Sequence, residues 1–368
     1  MIGSIFPVCQ SFPGISGTEI AIKRQTWKWI AGICAGAAVI ACVYRLWFAA
    51  GAFDWRLFLA TSGKLRWGWV VASLAPMAGT YCGRALRWAV FLKPLKPRPS
   101  FRNLLSATVV GFTALALFGR AGEFVRPYLI AIKERVPVAS QMAAWLLERL
   151  FDVLMALLFF AYGLTRVAGH GAHAGPGLAW VLAMGGKVAG AVCLAALLLL
   201  VSMRHLADPV SRRLLTGLRF LPEKQYARAE HLITTFVQGV ESTRSDGALV
   251  LLLLYSVLEW ALIGAVYWCL AQSCSGLIHM SLPDVIVFVG FVSFGATIQI
   301  PGVGGGSQVV AVLVLTELFG VRLETATFFA LLIWIITFVV IVPVGFTVAL
   351  REGLSWRGLR QISRGELK

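Results

Sequence analysis

Charged side chains occur in three stretches of this sequence that are otherwise apolar. A charge at the centre of a membrane helix costs roughly 2.5–3.5 kcal/mol, so several persist only if they pair, line a wet cavity or act in function. These residues are therefore the leading candidates for a functional site. They are Arg120, Glu123, Arg126, Glu148, Arg149, Asp152 and Glu259.

The first charged cluster consists of Arg120, Glu123 and Arg126 in FGRAGEFVRPYL. The two arginines bracket the glutamate at close to helical spacing. Guanidinium groups held by a carboxylate suit bidentate binding of a phosphate, which a lipid headgroup supplies. Alternatively, the three residues form local salt bridges that only neutralise a turn.

The second charged cluster consists of Glu148, Arg149 and Asp152 in WLLERLFDVLMALLFF. Glu148 and Asp152 are four residues apart and share a helix face, and Arg149 can pair with Asp152. The second charged cluster therefore forms either a binding surface or a structural ion network that holds helices together. Glu259 has no local partner, so we expect it to pair with an arginine of the first charged cluster or to remain protonated.

The composition predicts the class of protein that carries these residues. Of 368 residues, 58% are hydrophobic and 14% are charged, whereas soluble domains have about 25% charged residues. We therefore predict an all-α polytopic membrane protein with about six full transmembrane helices. The apolar runs long enough to cross about 30 Å lie at 29–50, 67–91, 138–164, 178–202, 247–272 and 325–350.

Two further apolar stretches, 104–118 and 284–320, are interrupted by glycine and proline at FGRAG and IPGVGGGSQ. A helix of roughly 15 residues rises only about 22 Å, which is too short to cross. We predict a re-entrant hairpin for the first stretch, and either a hairpin or two short helices for the second. Two broken hairpins are typical of transporters with an inverted repeat, which bind substrate near the midplane.

The distribution of Lys and Arg predicts the orientation in the membrane. Four segments carry 21 of these residues and the remaining connections carry 5, so the four should be cytoplasmic. This requires 104–136 to enter and leave on the cytoplasmic side. The four segments are the N-terminal 1–28, 84–102, the basic loop 203–246, and the tail 351–368. We expect one transmembrane domain, 29–350, in the plasma membrane, with both termini cytoplasmic.

The residue types in the late break, IPGVGGGSQ, indicate how this segment could bind a ligand. Pro301 removes a backbone donor, and the glycines allow conformations closed to other residues. The helix that resumes there presents free amides, which attract a phosphate or carboxylate. The alternative is a tight turn or close helix packing, and the spacing does not fit a nucleotide loop. The candidate binding residues are Gly302, Gly304, Gly305, Gly306 and Ser307.

The basic loop 203–246 has apolar residues at helical spacing on either side of Pro222. It predicts a pair of interfacial helices that dock on anionic lipid. The net charge of +16 therefore indicates a membrane surface as partner and not nucleic acid. The cysteines show no metal-binding or disulfide spacing, and we expect no cofactor and no nucleotide.

The order of motifs resembles the flippase-like family of membrane domains related to lysylphosphatidylglycerol synthetase. The motifs are RW at Arg87, RAGExxRPYL, ERLFD, a glutamate before Trp260, and PGxGGG. The resemblance runs from about Arg84 to Leu350 and implies a domain that moves a lipid between leaflets. It also implies that the two charged clusters bind the headgroup. Gln308 stands where the family often has an acid, which implies a different headgroup at the late break.

Three functions are consistent with these features. The first is a lipid transporter driven by an ion or lipid gradient. The second is a membrane-embedded transferase with Glu148, Asp152 or Glu259 as base, although no nucleophile constellation accompanies them. The third is a structural accessory subunit. Because about 18 residues follow the last predicted span, we expect no lysyl transfer by this polypeptide.

Overall fold

The structure is a computed structural model that describes residues 53–169, 176–241, 245–296, 299–300 and 304–353. The chain from Arg56 onward forms one compact unit. The predicted first span 29–50, the segment 1–28 and the tail beyond residue 353 lie outside the described residues.

The described chain is helical, which confirms the all-α prediction. The helices are α1 (Trp55–Gly63), α2 (Trp67–Leu92), α3 (Phe101–Phe118), α4 (Val125–Glu134), α5 (Val138–Gly169), α6 (Pro176–His205), α7 (Ala207–Gly217), α8 (Glu223–Val240), α9 (Asp246–Ser273), α10 (Leu282–Gly295), α11 (Gly306–Glu317), α12 (Leu323–Trp334) and α13 (Ile341–Arg351). A 3₁₀ turn (Gly119–Phe124) joins α3 to α4, a π turn (Ile335–Val339) joins α12 to α13, and two short strands, β1 (Gln299–Ile300) and β2 (Gly304–Gly305), lie between α10 and α11.

The long apolar runs form helices because a backbone in lipid must satisfy its hydrogen bonds within its own segment. The helices α2 and α5 cover the predicted spans 67–91 and 138–164 without interruption. The total of six spans stays a prediction. Within the described residues, the segments long and apolar enough to cross a membrane are Phe101–Glu134, Lys187–Arg204, Asp246–Ser273 and Leu323–Arg351.

The segment Phe101–Glu134 folds back on itself, which confirms the first predicted hairpin. At its open end, Asn103 Nδ2 donates to Glu134 Oε1 at 2.7 Å, so the start of α3 lies beside the end of α4. Near the turn, a Cβ added at Gly122 would lie 2.2 Å from the Ala114 carbonyl oxygen. Glycine is therefore required there for the two arms to approach.

A second hairpin is formed by α10 and α11, so the late break joins two short helices that return on one another. The strands at its tip are antiparallel, with Gln299 opposite Gly305. Gly305 has φ of 130°, a conformation that residues with a Cβ rarely adopt. Gly302 lies outside the described residues.

The packing of the long helices brings the charged segments together. The helix α9 packs along α2, α5 packs on α10 and α8, and α13 packs on α3. Buried apolar side chains from α2, α3, α4 and α5, including Trp88, Leu104, Ile130 and Leu147, form a continuous core. The charged residues of α2, α4, α5 and α9 face one another beside this core.

Candidate functional site

A network of paired charges lies between α2, α4, α5 and α9, and we call it the buried ion network. Its centre is Arg87, whose side chain is fully buried. Arg87 Nη2 lies 2.6 Å from Glu148 Oε1 and 3.2 Å from Glu259 Oε2. Arg87 Nη1 lies 2.9 Å from Asp152 Oδ1. The members are Arg84, Arg87, Arg126, Glu148, Arg149, Asp152 and Glu259.

Three further arginines surround these carboxylates. Arg84 Nη2 lies 2.5 Å from Glu259 Oε1, and Arg149 Nη2 lies 2.8 Å from Asp152 Oδ2. Arg126 pairs with Glu148. Its guanidinium carbon stands 4.1 Å from the centre of the Trp88 ring, a cation–π contact.

The buried ion network has more cations than anions. With all seven members ionised, four arginines face three carboxylates, so one positive charge is in formal excess. Buried charges are tolerated only when they are paired and hydrogen-bonded. The charges are therefore paired with one another within the network.

A central cavity of about 210 Å³ adjoins this network. Both hairpins contribute to its wall, together with α2, α9 and α12. Arg84 lines it, and its Nη1 is shielded from solvent with no hydrogen-bond partner among the described residues. Other polar side chains in the wall include Tyr81, Ser293, Ser307 and Gln308.

Phe112 and Leu115 line both the central cavity and a smaller pocket of about 30 Å³, whose wall also includes Arg126 and Arg149. The Phe112 ring centre lies 4.6 Å from the Arg84 guanidinium carbon and 5.7 Å from that of Arg126. One aromatic ring is therefore close to two arginines that line different pockets.

The first charged cluster is divided by the fold. Arg126 turns inward to Glu148, whereas Arg120 pairs with Glu123 at the hairpin turn and is 47% exposed. Arg120 Nη2 also donates to the Ala296 carbonyl oxygen at 2.8 Å. The tips of the two hairpins are therefore in contact.

At the late break, the predicted free amides are partly occupied by the chain itself. The Gly305 amide donates to Gln308 Oε1 at 2.7 Å, and the Ser307 hydroxyl donates to the same oxygen at 3.0 Å. Gly304 and Gly305 form β2, and Gly306 begins α11. Of the predicted residues, Ser307 lines the central cavity.

The predicted partner of Glu259 is wrong. Glu259 binds Arg84 and Arg87 instead of Arg120 or Arg126, because α9 packs along α2 and not along α4. From the distribution of Lys and Arg, both of these arginines were predicted to lie in a basic cytoplasmic segment. Both stand inside an apolar run, three residues apart on one helix face, and this pattern could have indicated that they point into the protein.

The second charged cluster has the predicted internal arrangement. Arg149 pairs with Asp152, and Glu148 and Asp152 face the same way because both contact Arg87. Within the described ranges, no group of three or more His, Cys, Asp or Glu side chains could hold a metal ion.

A family model described as "Lysylphosphatidylglycerol synthase TM region" matches residues 31–345. This range contains both hairpins, the buried ion network and the central cavity. No curated protein matches the chain.

Proposed function

The chain belongs to the lysylphosphatidylglycerol synthase TM region family, and from this premise we propose that it is a lipid transporter. The cargo is a phospholipid or isoprenoid-type lipid with an anionic or zwitterionic headgroup. The headgroup binds in the central cavity, and the acyl or isoprenoid chains remain in the bilayer.

The observation that carries the proposal is the state of Arg84. It lines the central cavity, it pairs with Glu259 through Nη2, and its Nη1 is buried without a hydrogen-bond partner among the described residues. Leaving such a donor unsatisfied is costly. In the proposed bound state the Arg84 guanidinium turns toward the cavity, where a phosphate or carboxylate oxygen accepts from Nη1, and the formal excess of positive charge in the buried ion network favours the same ligand.

The two pockets suggest the route. In the proposed cycle the headgroup passes from Arg84 to Arg126 when the Phe112 ring turns aside, and the contacting hairpin tips move with it. The second hairpin contributes Ser307 and Gln308 at the resumed helix. Discontinuous helices that meet at a binding site are the arrangement expected of alternating-access transporters.

The pairing of the carboxylates supports transport over catalysis. Glu148, Asp152 and Glu259 each contact at least one arginine. A general base has to accept a proton, and a carboxylate held between guanidinium groups is poorly suited to that role. We also propose the plasma membrane, with both termini cytoplasmic, on the basis of the positively charged segments.

The proposal is tested by lipid movement in proteoliposomes. Fluorescent phosphatidylglycerol and phosphatidylcholine are reconstituted, and the label in the outer leaflet is quenched chemically so that inward and outward movement can be followed. Arg84→Gln should slow movement of the preferred lipid about 10–100-fold, the effect of losing one charge-assisted hydrogen bond. Arg102→Gln, at an exposed position of α3, is the matched control.

Three other outcomes of this test lead to different conclusions. A chemically modified lipid in the vesicles indicates a transferase. Loss of folded protein in Arg84→Gln indicates a structural role for the residue. Unchanged lipid movement in a folded Arg84→Gln protein contradicts the proposed binding site.

A further inference from the structure

A second cavity lies between the start of α5, the end of α6, and the helices α7 and α8. We call it the interfacial groove, and it has a volume of about 670 Å³. It shares no lining residue with the central cavity. Its wall includes Met142, Met203, Val210, Leu214, Ile233 and Phe236.

The wall of the groove is apolar because the predicted helix pair is present and amphipathic. Val210 and Leu214 are four residues apart on α7, and Ile233 and Phe236 are three apart on α8, so each pair lies on one helix face. Of the 15 lining residues, only Ser202 and Ser211 are polar. Val210 and Leu214 remain 47% and 53% exposed, so the described chain does not cover them.

The groove continues into a cavity of about 380 Å³ that is lined by Arg213. Val210, Leu214 and Ile233 line both cavities, so the apolar channel runs up to a guanidinium group. Arg213 makes no ion pair within the described part of the chain. An apolar channel that ends at a free cation matches an acyl chain with an anionic headgroup.

The groove lies where such a lipid is available. It opens at the end of Lys187–Arg204, an apolar segment that could span a membrane and of which only 17% is buried. The segment therefore faces lipid, and its end lies where acyl chains meet headgroups. The helix α7 and the turn after it add Arg212 and Arg219 against the single acid Asp208, which favours anionic lipid.

We propose that the interfacial groove binds one acyl chain of an anionic phospholipid, with the headgroup on Arg213. This site is separate from the transport site and does not depend on the proposed function. It holds the helix pair α7–α8 against the bilayer through a specific lipid.

The test is native mass spectrometry of the full chain released from nanodiscs that contain equal amounts of phosphatidylglycerol and phosphatidylcholine. Leu214→Trp narrows the groove at a residue that lines both cavities, and it should remove one bound phosphatidylglycerol. Phe220→Trp is the control, because Phe220 is 81% exposed and lines neither cavity. Arg213→Gln should weaken retention of phosphatidylglycerol about fivefold and leave phosphatidylcholine unchanged.

Each alternative result overturns the proposal. An unchanged lipid count in folded Leu214→Trp shows that the groove does not hold the lipid. Equal loss of both lipids shows that the site is not selective for an anion. A dimer that Leu214→Trp dissociates shows that a second copy of the chain covers the groove. Arg213→Gln changes an exposed residue, so it remains informative if Leu214→Trp fails to fold.

Arg84→Gln separates this proposal from the proposed function. It should slow lipid movement without changing retention at the interfacial groove. Leu214→Trp should change retention without the loss of cavity binding that Arg84→Gln causes.

Discussion

The two helical hairpins reach the same cavity with different chemistry. The first has Arg120, Glu123 and Arg126 at its turn, whereas 296–308 in the second contains no charged residue. The first hairpin depends on partners from α5, because Arg126 requires Glu148. The second depends on backbone geometry, because Gly305 has φ of 130°. Substitutions in the first hairpin should therefore act through lost ion pairs. Substitutions in the second hairpin should act through a strained backbone.

The two arginines of the first hairpin also differ from each other. Arg126 is 4% exposed and belongs to the buried ion network, whereas Arg120 is largely exposed at the tip. The pair of Arg120 with Glu123 stands outside the buried ion network, so we expect it to contribute less to stability. Substitution of Arg126 should therefore lower stability, whereas substitution of Arg120 should slow lipid movement with little change in stability.

The largest effect is expected at the centre of the buried ion network. Arg87→Ala leaves Glu148, Asp152 and Glu259 without their shared cation, and breaking a buried pair costs about 3–5 kcal/mol. We expect a large fall in the thermal stability of the detergent-purified protein. Lys93→Gln, exposed just beyond α2, is the control. A folded Arg87→Ala protein that melts with the wild type contradicts the structural role of the network.

The next effect tests the close approach in the first hairpin. Gly122→Ala places a Cβ against the Ala114 carbonyl oxygen, so the arms must separate, at a cost of about 1–3 kcal/mol. We expect a lower melting temperature and a loss of lipid movement. Gly264→Ala in α9 is the control, since nothing lies within 4 Å of its added Cβ. Equal stability of the two variants would mean that the arms are not in contact in the membrane.

A smaller effect is expected at the tip of the second hairpin. Gly305→Ala strains a backbone with φ of 130°, at a cost of about 1–3 kcal/mol that local rearrangement of the tip can reduce. Lipid movement should therefore fall more than the melting temperature. Gly276→Ala, which has open space around its added Cβ, should change neither. If Gly305→Ala retains wild-type transport, the tip geometry does not matter to function.

The smallest effect on stability is expected at the tip of the first hairpin. Arg120→Gln removes an exposed pair with Glu123 and the hydrogen bond to Ala296, at a cost of about 0–1 kcal/mol. The melting temperature should stay close to that of the wild type, while lipid movement slows about two- to fivefold. A loss of stability as large as that of Arg87→Ala would remove the distinction between the two arginines of the hairpin.

The positions of the helices and of their breaks follow from local features of the sequence. The predicted spans 67–91 and 247–272 coincide with α2 and α9 within a residue, because a backbone in lipid is satisfied only within its own helix. The breaks at FGRAG and IPGVGGGSQ coincide with the two hairpin turns. Proline lacks the backbone N–H and glycine adopts conformations closed to other residues, and both properties are local. The pairing of Arg149 with Asp152 was also predictable, since it joins neighbours on one helix.

Which charges pair with one another depends on how the helices pack in three dimensions. Arg87 binds residues that are 61 and 65 positions away, Glu148 and Asp152, and no local spacing indicates such pairs. The rotation of α2 against α5 and α9 turned Arg84 and Arg87 inward, although both stand next to a segment rich in Lys and Arg. The same packing divided Arg120 from Arg126. Ion pairs between helices depend on which faces the packing brings together, and that choice is made by the whole core and not by any one segment.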